Sequence, residues 1–345
     1  MRIAYIIPSL YRMTPNQVVL QLVQGMMARG HECRVFYFDP PTADIMTFPC
    51  PSRRICLLRR EDLSAYDVVH THGLRPNLYV WLHRLPAAVR TVSTVHSYIF
   101  EEFRSIYGRA LGTLFGQLFV RTLSHHQRVV TLSRHAVDYY ARWISRERLT
   151  YCYNGVEPLA LDAPLPEADR QLILAHKGDG VLVGNICFFD KIKGLDVLLR
   201  ALSLLPSSFR LLLIGGGAEE RSLRRLAARL CPGRVLFLGS RRQASRYLPL
   251  VDVFAQTSWS EGFCLSMAEA ALAHVPIVST DIPGMREKYG ADEVTYFPAG
   301  NVRALAASLQ VAALTRRGVG RASRKVRSQF SISQMVSRYE QIYQS

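Results

Sequence analysis

The chain alternates between short apolar runs and longer segments with the periodicity of helices. The runs are continuously apolar, which is typical of parallel strands covered on both faces. In the first half they are Ile3–Ile7, Cys33–Phe38, Asp67–Thr71, Arg90–Val95, Val129–Leu132 and Thr150–Tyr153. In the second half they are Val181–Ile186, Arg210–Ile214, Val235–Leu238, Val253–Gln256 and Ile277–Ser279. Two successive series of strand–helix–strand units predict an α/β protein with two doubly wound domains.

Local signals refine this outline. Thr14-Pro15-Asn16-Gln17 predicts a capping box that opens the first helix, and Gly30 closes that helix. The proline-rich segment 157–169 predicts the linker between the domains. We therefore expect an N-terminal domain over 1–165, a C-terminal domain over 175–325, and a last helix, 326–345, that packs back on the first domain. The residues from 301 to 344 are expected to be mostly helical. Polar residues at the carboxyl ends of the strands are expected to face an interdomain cleft.

The charge of the chain is strongly positive. Its 345 residues carry a formal net charge of +16 at pH 7, with an excess in both halves. Such a field attracts nucleic acids, anionic lipid surfaces and phosphorylated substrates alike. No nucleic-acid-binding module is recognisable, so a nucleic-acid partner is not expected. The seven cysteines are scattered and form no CxxC pair, which argues against a disulfide framework or a structural zinc site and favours a reducing cytoplasm.

Apolar segments are too short to predict a membrane span. The first apolar run stops at Pro8 and Arg12, too early for a signal peptide. The longest stretch, Ala110–Val120, is well below the roughly 20 residues that a bilayer requires. It belongs to an apolar helix predicted within 103–128, which has arginines along it. Two interpretations stay open for this helix: a core element, or an amphipathic element on anionic lipid. A second basic cluster is predicted to be a solvated helix face, with lipid contact as the alternative: Arg316, Arg317, Arg321, Arg324, Lys325 and Arg327.

The segment Ser260–Ala270, SEGFCLSMAEA, is the most specific candidate for chemistry. Glu261 falls in the turn after a predicted strand, and Glu269 falls in the helix that begins near Leu265. Backbone amides at the start of this helix favour anionic or hydroxyl-rich ligands. By spacing alone, a favourable acidic first turn and a surface glutamate are the better explanation of the two carboxylates.

This segment resembles the signature of the retaining GT-B glycosyltransferases of family 4, the glycosyl transferases of group 1, in its EGFxLxxxEA setting. Further landmarks agree in order and spacing. In the first half they are RGHE, VVHTHG, STVHS, VVTLS and YNGVE, and in the second KGLDVLLRAL, LLLIGGG, VLFLG and VDVFAQTSWSEGF. The resemblance covers nearly the whole chain. It implies the GT-B fold, in which two Rossmann-like domains face each other across a cleft.

The resemblance also implies roles for individual residues. Glu261 is expected to contact hydroxyls of the donor sugar, and Glu269 the ribose hydroxyls of the nucleotide. Lys193 is expected to pair with the diphosphate, a role that suits a point charge; an ordinary solvated lysine is the alternative. His96 is expected to point toward the donor sugar or the acceptor, with a satisfied buried histidine as the alternative. The turn residues expected to hold the sugar and the diphosphate are Gly262, Phe263, Cys264 and Leu265.

The chain departs from the family pattern in two places. Asn185 stands where the family commonly has an arginine that binds phosphate, and Lys191 is expected to supply part of that charge. The first-domain loop, often glycine-rich in the family, reads SLYRMTPNQ here, so Arg12 is expected to offer charge instead. His70 and His72 resemble a metal pair but have no recognisable third ligand, so they are expected to be structural or to line the cleft, and no metal is predicted.

The function expected from the resemblance is transfer of a hexose or N-acetylhexosamine from a nucleotide diphosphate sugar, with a UDP-sugar favoured. The acceptor is expected to be a hydroxyl of a lipid-linked saccharide in bacterial surface polysaccharide biosynthesis, such as lipopolysaccharide. The expected reaction retains the anomeric configuration and uses no metal or cofactor, because the nucleotide sugar is a co-substrate. The expected location is the cytoplasm or the cytoplasmic face of the inner membrane. The alternatives are a nucleotide-sugar epimerase of the same fold and a catalytically silent partner subunit.

Overall fold

The structure is a computed structural model that describes residues 1–41, 45–157 and 164–345. Its contacts divide the chain into two compact units, Met1–Gly155 with Phe330–Ser345, and Val156–Gln329. The chain therefore passes from the first unit to the second after Gly155, whereas the proline-rich segment predicted the end of the first domain at residue 165. Part of the linker expected within 157–169 lies outside the described residues.

The first unit contains a seven-stranded sheet in the order β3-β2-β1-β4-β5-β6-β7, and every pair of neighbours is parallel. Its strands are β1 (Arg2–Ile7), β2 (Glu32–Tyr37), β3 (Ser52–Arg54), β4 (Val68–His72), β5 (Arg90–Thr94), β6 (Arg128–Thr131) and β7 (Leu149–Tyr151). Its first five helices are α1 (Thr14–Ala28), α2 (Leu74–His83), α3 (Ile99–Tyr107), α4 (Arg109–Leu123) and α5 (Arg134–Tyr140).

The second unit contains a six-stranded parallel sheet in the order β10-β9-β8-β11-β12-β13. Its strands are β8 (Val181–Ile186), β9 (Phe209–Ile214), β10 (Val235–Gly239), β11 (Val253–Gln256), β12 (Ile277–Thr280) and β13 (Thr295–Phe297). Its helices are α6 (Glu167–Lys177), α7 (Leu195–Leu204), α8 (Glu220–Leu230), α9 (Leu265–Leu272), α10 (Pro283–Lys288), α11 (Val302–Thr315) and α12 (Val319–Gln329). Two doubly wound α/β units are thus confirmed.

The last helix, α13 (Ile332–Gln344), belongs to the first unit, where it packs against α1. Gly25 of α1 provides the close approach, because a Cβ at this position would overlap the Val336 side chain. Glu340 adds polar contacts at 2.6 Å to the Arg29 guanidinium and the His31 ring. Met335, Val336, Tyr339, Ile342 and Tyr343 of this helix lie in the same apolar cluster as β1. The chain therefore completes the core of its first unit with its last residues.

Two local predictions are wrong, and two edge strands were not predicted. No capping box opens α1, because Met13 is the N-cap residue, without a side-chain hydrogen bond, and Thr14 is already helical. The side chain of Asn16 is buried and instead donates to the carbonyls of Ser9 and Tyr11. The single helix expected within 103–128 is two helices, separated at Gly108, whose φ of 78° favours glycine. The edge strands β3 and β13 were missed, because they are short and β3 is fully exposed.

All seven cysteines are free thiols. Across the described ranges, no helix combines the length and the apolar character that crossing a membrane requires.

We predict that Gly25→Leu destabilises the first unit by about 1–3 kcal/mol, because the new side chain must displace Val336 from the contact between α1 and α13. Chemical denaturation followed by circular dichroism measures this loss. Gly320→Leu is the matched control: an added Cβ in α12 meets the flexible guanidinium of Arg324, so the higher helix propensity of leucine leaves stability unchanged or increased. Equal losses in both variants would contradict the tight packing of α13 on α1.

Candidate active site

The centre of the site in the second unit is an ion pair between Lys193 and Glu261. Lys193 ends a single 3₁₀ turn, Lys191–Lys193, between β8 and α7. Glu261 lies in the segment that joins β11 to α9. The Lys193 Nζ and Glu261 Oε1 atoms are 2.8 Å apart, and the Ser258 hydroxyl donates to the same carboxylate oxygen at 2.7 Å. Two segments separated by 68 residues are thereby joined at one charged contact.

The backbone around this pair is fixed by further contacts between the same two segments. The Thr257 hydroxyl donates to the Lys193 carbonyl at 2.9 Å, and the Trp259 amide donates to the Ile192 carbonyl at 2.8 Å. Gly194 follows with a φ of 61°, and a Cβ there would overlap the Thr257 carbonyl oxygen. The Lys-Gly pair of the sequence motif therefore has a structural reason: only glycine permits this approach.

The ion pair keeps Lys193 charged although its side chain is largely buried. Burial by itself lowers the pKa of this ammonium, but the charge and the hydrogen bond of Glu261 outweigh it and hold the Lys193 pKa above its ordinary value. A buried, permanently charged lysine is suited to binding phosphate oxygens.

The turn after Glu261 leads directly into α9. Cys264 is the N-cap residue, with a φ of 65° that side chains rarely adopt, and no side chain caps the helix. Phe263 is buried beside it. The first amide groups of α9 therefore project from a helix end without a side-chain cap, at the turn where the sequence predicted sugar and diphosphate contacts.

Lys288, at the end of α10, supports this turn from within the unit. Its side chain is fully buried, and Nζ donates to the carbonyl oxygens of Gly262 at 2.9 Å and Gly284 at 2.6 Å. The ammonium also lies 5.6 Å from the centre of the Phe263 ring. Burial lowers the Lys288 pKa to about 8, against the opposing influence of Glu287 and Glu261. The sequence pattern does not reveal this role, because a charged residue at the end of a short helix is usually exposed.

Glu269 lies in the second turn of α9. Burial, and secondarily the carboxylate of Glu157, raise its pKa to about 7. The residue is half-buried, and within residues 1–41, 45–157 and 164–345 its carboxylate forms no hydrogen bond. A desolvated carboxyl group without a partner is strained when ionised and gains stability from a ligand that donates hydrogen bonds.

Two other residues predicted to bind the donor, Asn185 and Lys191, have side-chain surroundings that differ from those expected. The Asn185 amide nitrogen donates to the Ala255 carbonyl at 2.6 Å, which ties β8 to β11, while its Oδ1 atom is buried without a partner among the described residues. The side chain thus offers an acceptor, whereas phosphate requires a donor. Lys191 lines an open groove of about 700 Å³ together with Trp259, Arg225 and Arg229. Within the described part of the chain, the lysine paired with Glu261 is Lys193 and not Lys191.

In the first unit, Arg12 lies in the loop between β1 and α1. Its guanidinium contacts the Ile45 carbonyl at 3.5 Å on the surface. Tyr11 forms an isolated antiparallel bridge with Ile45, and the buried Asn16 side chain binds the carbonyls of Ser9 and Tyr11. Side-chain hydrogen bonds of Asn16 therefore shape this loop.

His96 follows β5 and is paired with His72 at the end of β4. The His96 Nε2 and His72 Nδ1 atoms are 2.8 Å apart, and the rings are stacked at 5.2 Å. The other ring nitrogen of each, His96 Nδ1 and His72 Nε2, is buried without a partner among the described residues. Burial lowers the His96 pKa to about 4, so this ring is neutral near pH 7. The sequence pattern did not reveal that His72 orients His96.

His70 is a structural residue at the centre of the first sheet. Its ring contacts the Tyr343 hydroxyl at 2.7 Å and the Thr94 hydroxyl at 2.8 Å, which satisfies both nitrogens. Within the described part of the chain, no group of three histidine, cysteine, aspartate or glutamate side chains is arranged to hold a metal ion.

Two family models match the chain, one in each half. The model "Glycosyltransferase Family 4" matches residues 16–158, and "Glycosyl transferases group 1" matches residues 179–313. The second match contains the Lys193–Glu261 pair and Glu269, and the first contains His72 and His96.

Curated relatives and solved structures agree with these matches. The chain is 26% identical to the O-antigen biosynthesis glycosyltransferase WclY of Escherichia coli, over 99% of this chain and 98% of the relative. It is 29% identical to the D-inositol 3-phosphate glycosyltransferase of Mycolicibacterium smegmatis, over 64% of this chain and 53% of the relative.

Two solved structures share the fold over nearly their whole length. Anabaena HepE in complex with UDP and glucose superposes with a TM-score of 0.82 at 18% identity, over 100% of this chain and 99% of that chain. Sucrose-phosphate synthase from Thermosynechococcus elongatus superposes with a TM-score of 0.84 at 22% identity, over 99% of this chain and 98% of that chain. With both halves matched by family models, the chain belongs to glycosyltransferase family 4, the glycosyl transferases of group 1, and has the GT-B fold.

Proposed function

We propose that this glycosyltransferase moves a hexose or N-acetylhexosamine from a UDP-sugar to a hydroxyl of a lipid-linked saccharide, with retention of the anomeric configuration. The observation that carries the proposal is the Lys193–Glu261 pair at the start of α9. Among the described residues, Glu261 is the hydrogen-bond partner of the Lys193 ammonium, so two of its three N–H groups remain for phosphate oxygens. The Glu261 carboxylate accepts hydrogen bonds, as sugar hydroxyls require.

The proposed chemistry is a substitution at the anomeric carbon. The bond from this carbon to the diphosphate breaks, and its electron pair stays on the diphosphate oxygen. The acceptor oxygen forms the new bond and passes its proton to the departing diphosphate oxygen. Lys193 and the start of α9 stabilise the charge that develops on the leaving group, in a role that a divalent cation has in other enzymes. His96, neutral at working pH, is proposed to contact the sugar or the acceptor through Nδ1.

The proposed setting is the assembly of a bacterial surface polysaccharide. The support is the full-length similarity to WclY, whose name describes O-antigen biosynthesis. HepE, which shares the fold, has been solved with UDP and glucose, which favours UDP as the nucleotide. The net charge of +16 suits an anionic membrane surface at the cytoplasmic face of the inner membrane, where lipid-linked acceptors are presented.

The first test is a thermal-shift screen with UDP-, GDP-, ADP- and CDP-sugars. We expect UDP-sugars to stabilise the protein, and Glu269→Gln to lose most of this stabilisation because an amide cannot replace both acceptor oxygens. Glu157→Gln is the matched control, because it removes the neighbouring carboxylate and should leave binding in place. Stabilisation by no nucleotide sugar would favour the silent partner subunit. Conversion of a UDP-sugar without acceptor would identify an epimerase.

Nucleotide binding should release a proton near pH 7. Because the Glu269 pKa is about 7, roughly half of this carboxyl is protonated at pH 7, and hydrogen bonds from ribose hydroxyls favour the ionised form. Titration calorimetry in buffers of different ionisation enthalpy should show the release, and Glu269→Gln should abolish it. A binding enthalpy that is independent of the buffer would contradict the proposed contact of Glu269 with the ribose.

The raised pKa of Glu269 also predicts how stability depends on pH. Between pH 4.5 and 7 the folded chain holds this proton while the unfolded chain loses it, so the free energy of unfolding falls as pH rises through this range.

Lys193→Gln should lower kcat by about 10²–10³, because the leaving diphosphate loses its buried cation. Lys177→Gln is the control: this lysine is paired with Asp252 outside the predicted site and should change kcat by less than about threefold. We expect EDTA to leave the wild-type rate unchanged. Loss of activity in EDTA that Mg²⁺ or Mn²⁺ restores would assign the phosphate charge to a metal.

Lys288→Met should weaken UDP-sugar binding about tenfold, because the carbonyl of Gly262 loses the donor that holds the turn. Lys325→Met, which removes a half-buried lysine paired with Glu293, should leave binding unchanged.

The lowered pKa of Lys288 also predicts the sign with which stability depends on pH. The folded state releases the Lys288 proton near pH 8, and the unfolded chain does so near 10.5, so wild-type stability rises relative to Lys288→Met between these values. Urea denaturation at about pH 7.5 and 9.5 measures the difference; its absence would show that Lys288 does not titrate in this way.

A further inference from the structure

The helices α3 and α4 form a hairpin in the first unit whose inner side is tightly packed. Gly112 of α4 lies against the backbone of Phe103, and Gly116 lies against the ring of Phe100, so the two helices approach closely. Phe100 in turn stacks on Trp143 at 4.6 Å. The base of the hairpin is therefore anchored in the core of the first unit.

The free end of the hairpin exposes large apolar side chains to solvent. We call this end the hairpin tip; it comprises Arg104, Ile106, Tyr107, Arg109, Leu111 and Leu114. The exposed fractions of its apolar residues are 52% for Ile106, 49% for Tyr107, 55% for Leu111 and 63% for Leu114. Leu111 and Leu114 are three residues apart and share one face of α4. Several large apolar residues exposed together mark an interaction surface rather than the scattered apolar residues of an ordinary surface.

The charges around the hairpin tip are positive. No aspartate or glutamate occurs between Phe103 and Arg128. Arg104 and Arg109 are exposed at the tip. The acidic residues of α3 lie at its opposite end and are engaged within the unit, Glu101 by the Tyr139 hydroxyl and Glu102 by the Ser97 hydroxyl.

We propose that the hairpin tip docks the enzyme on an anionic phospholipid bilayer, with the leucines and Ile106 in the acyl boundary and the arginines at the headgroups. The combination of exposed aliphatic residues, a tyrosine and arginines, with the acidic residues of α3 engaged at its other end, matches the chemistry of that interface. Positive charge also complements anionic headgroups, to which each nearby basic residue adds attraction. The inference deepens the proposed function, since a lipid-linked acceptor is presented at such a surface, and it names the element that makes the contact.

The test measures binding of the full chain to vesicles and needs no enzymatic activity. Vesicles of phosphatidylethanolamine and phosphatidylglycerol should sediment the protein, and vesicles of phosphatidylcholine should not. Leu111→Glu/Leu114→Glu should weaken binding at least about tenfold. The matched control is Leu58→Glu/Leu314→Glu, which changes the net charge equally at leucines that are 82% and 85% exposed elsewhere, and it should weaken binding far less. Equal losses in both pairs would show that bulk charge alone binds the membrane and would overturn the proposal.

The basic residues of the tip are tested in the same way. Arg104→Gln/Arg109→Gln should weaken binding several-fold more than Arg324→Gln/Arg327→Gln, a control in the exposed basic face of α12. The reverse order would move the docking surface to α12 and contradict the proposal. Unchanged melting temperatures confirm that all variants fold.

The oligomeric state and the transfer reaction give two further outcomes. A dimer in solution that Leu111→Glu/Leu114→Glu dissociates would assign the tip to a second copy of the chain and overturn the lipid assignment. The proposed transfer reaction is tested separately by nucleotide binding, so loss of one result leaves the other intact. If both hold, Leu111→Glu/Leu114→Glu should retain transfer to a water-soluble acceptor and lose transfer to an acceptor embedded in vesicles.

Discussion

The ion pair between Lys193 and Glu261 is the constraint on which the candidate site depends. It joins the turn after β8 to the turn after β11, and backbone contacts from Thr257 and Trp259 hold the same two turns together. A charged pair that is mostly buried requires compensation for its lost hydration, and breaking one partner leaves an uncompensated charge. The pair therefore specifies the geometry of the turns, and it leaves a permanently charged ammonium where phosphate is proposed to bind.

A second buried cation acts on the same turn. Lys288 binds the carbonyl of Gly262 from within the unit, so two ammonium groups contact the residues from Glu261 to the start of α9. The two lysines differ in electrostatic situation. Lys193 has a carboxylate partner and keeps its proton, whereas Lys288 binds neutral carbonyl groups and holds its proton less firmly. We interpret Lys193 as the group for the ligand and Lys288 as the group that positions the turn.

The buried polar side chains discussed for the first unit are neutral, whereas those at the candidate site of the second unit are charged. His70, His72 and His126 are buried and His96 is half-buried, and burial keeps their pKa values low, so they act as uncharged donors and acceptors near neutral pH. The hydroxyls of Tyr343 and Thr94 satisfy His70, while His72 and His96 satisfy each other on one side only. The positive charge of this unit lies on its surface instead, and at the hairpin tip it adjoins exposed apolar residues.

The hydrophobic pattern was sufficient to predict the fold class and most of the strands, because a strand buried on both faces must be continuously apolar and its helices must alternate with it. Motif spacing placed Lys193, Glu261 and Glu269 in turns and helix ends and led to the family. The pattern did not reveal how Asn16, Asn185 or Lys288 use their side chains, nor that Gly108 divides one apolar segment into two helices. Those outcomes depend on carbonyl groups and packing partners from distant parts of the chain. The folded arrangement sets which polar groups are buried together, and with it which charges are paired and which remain for a ligand.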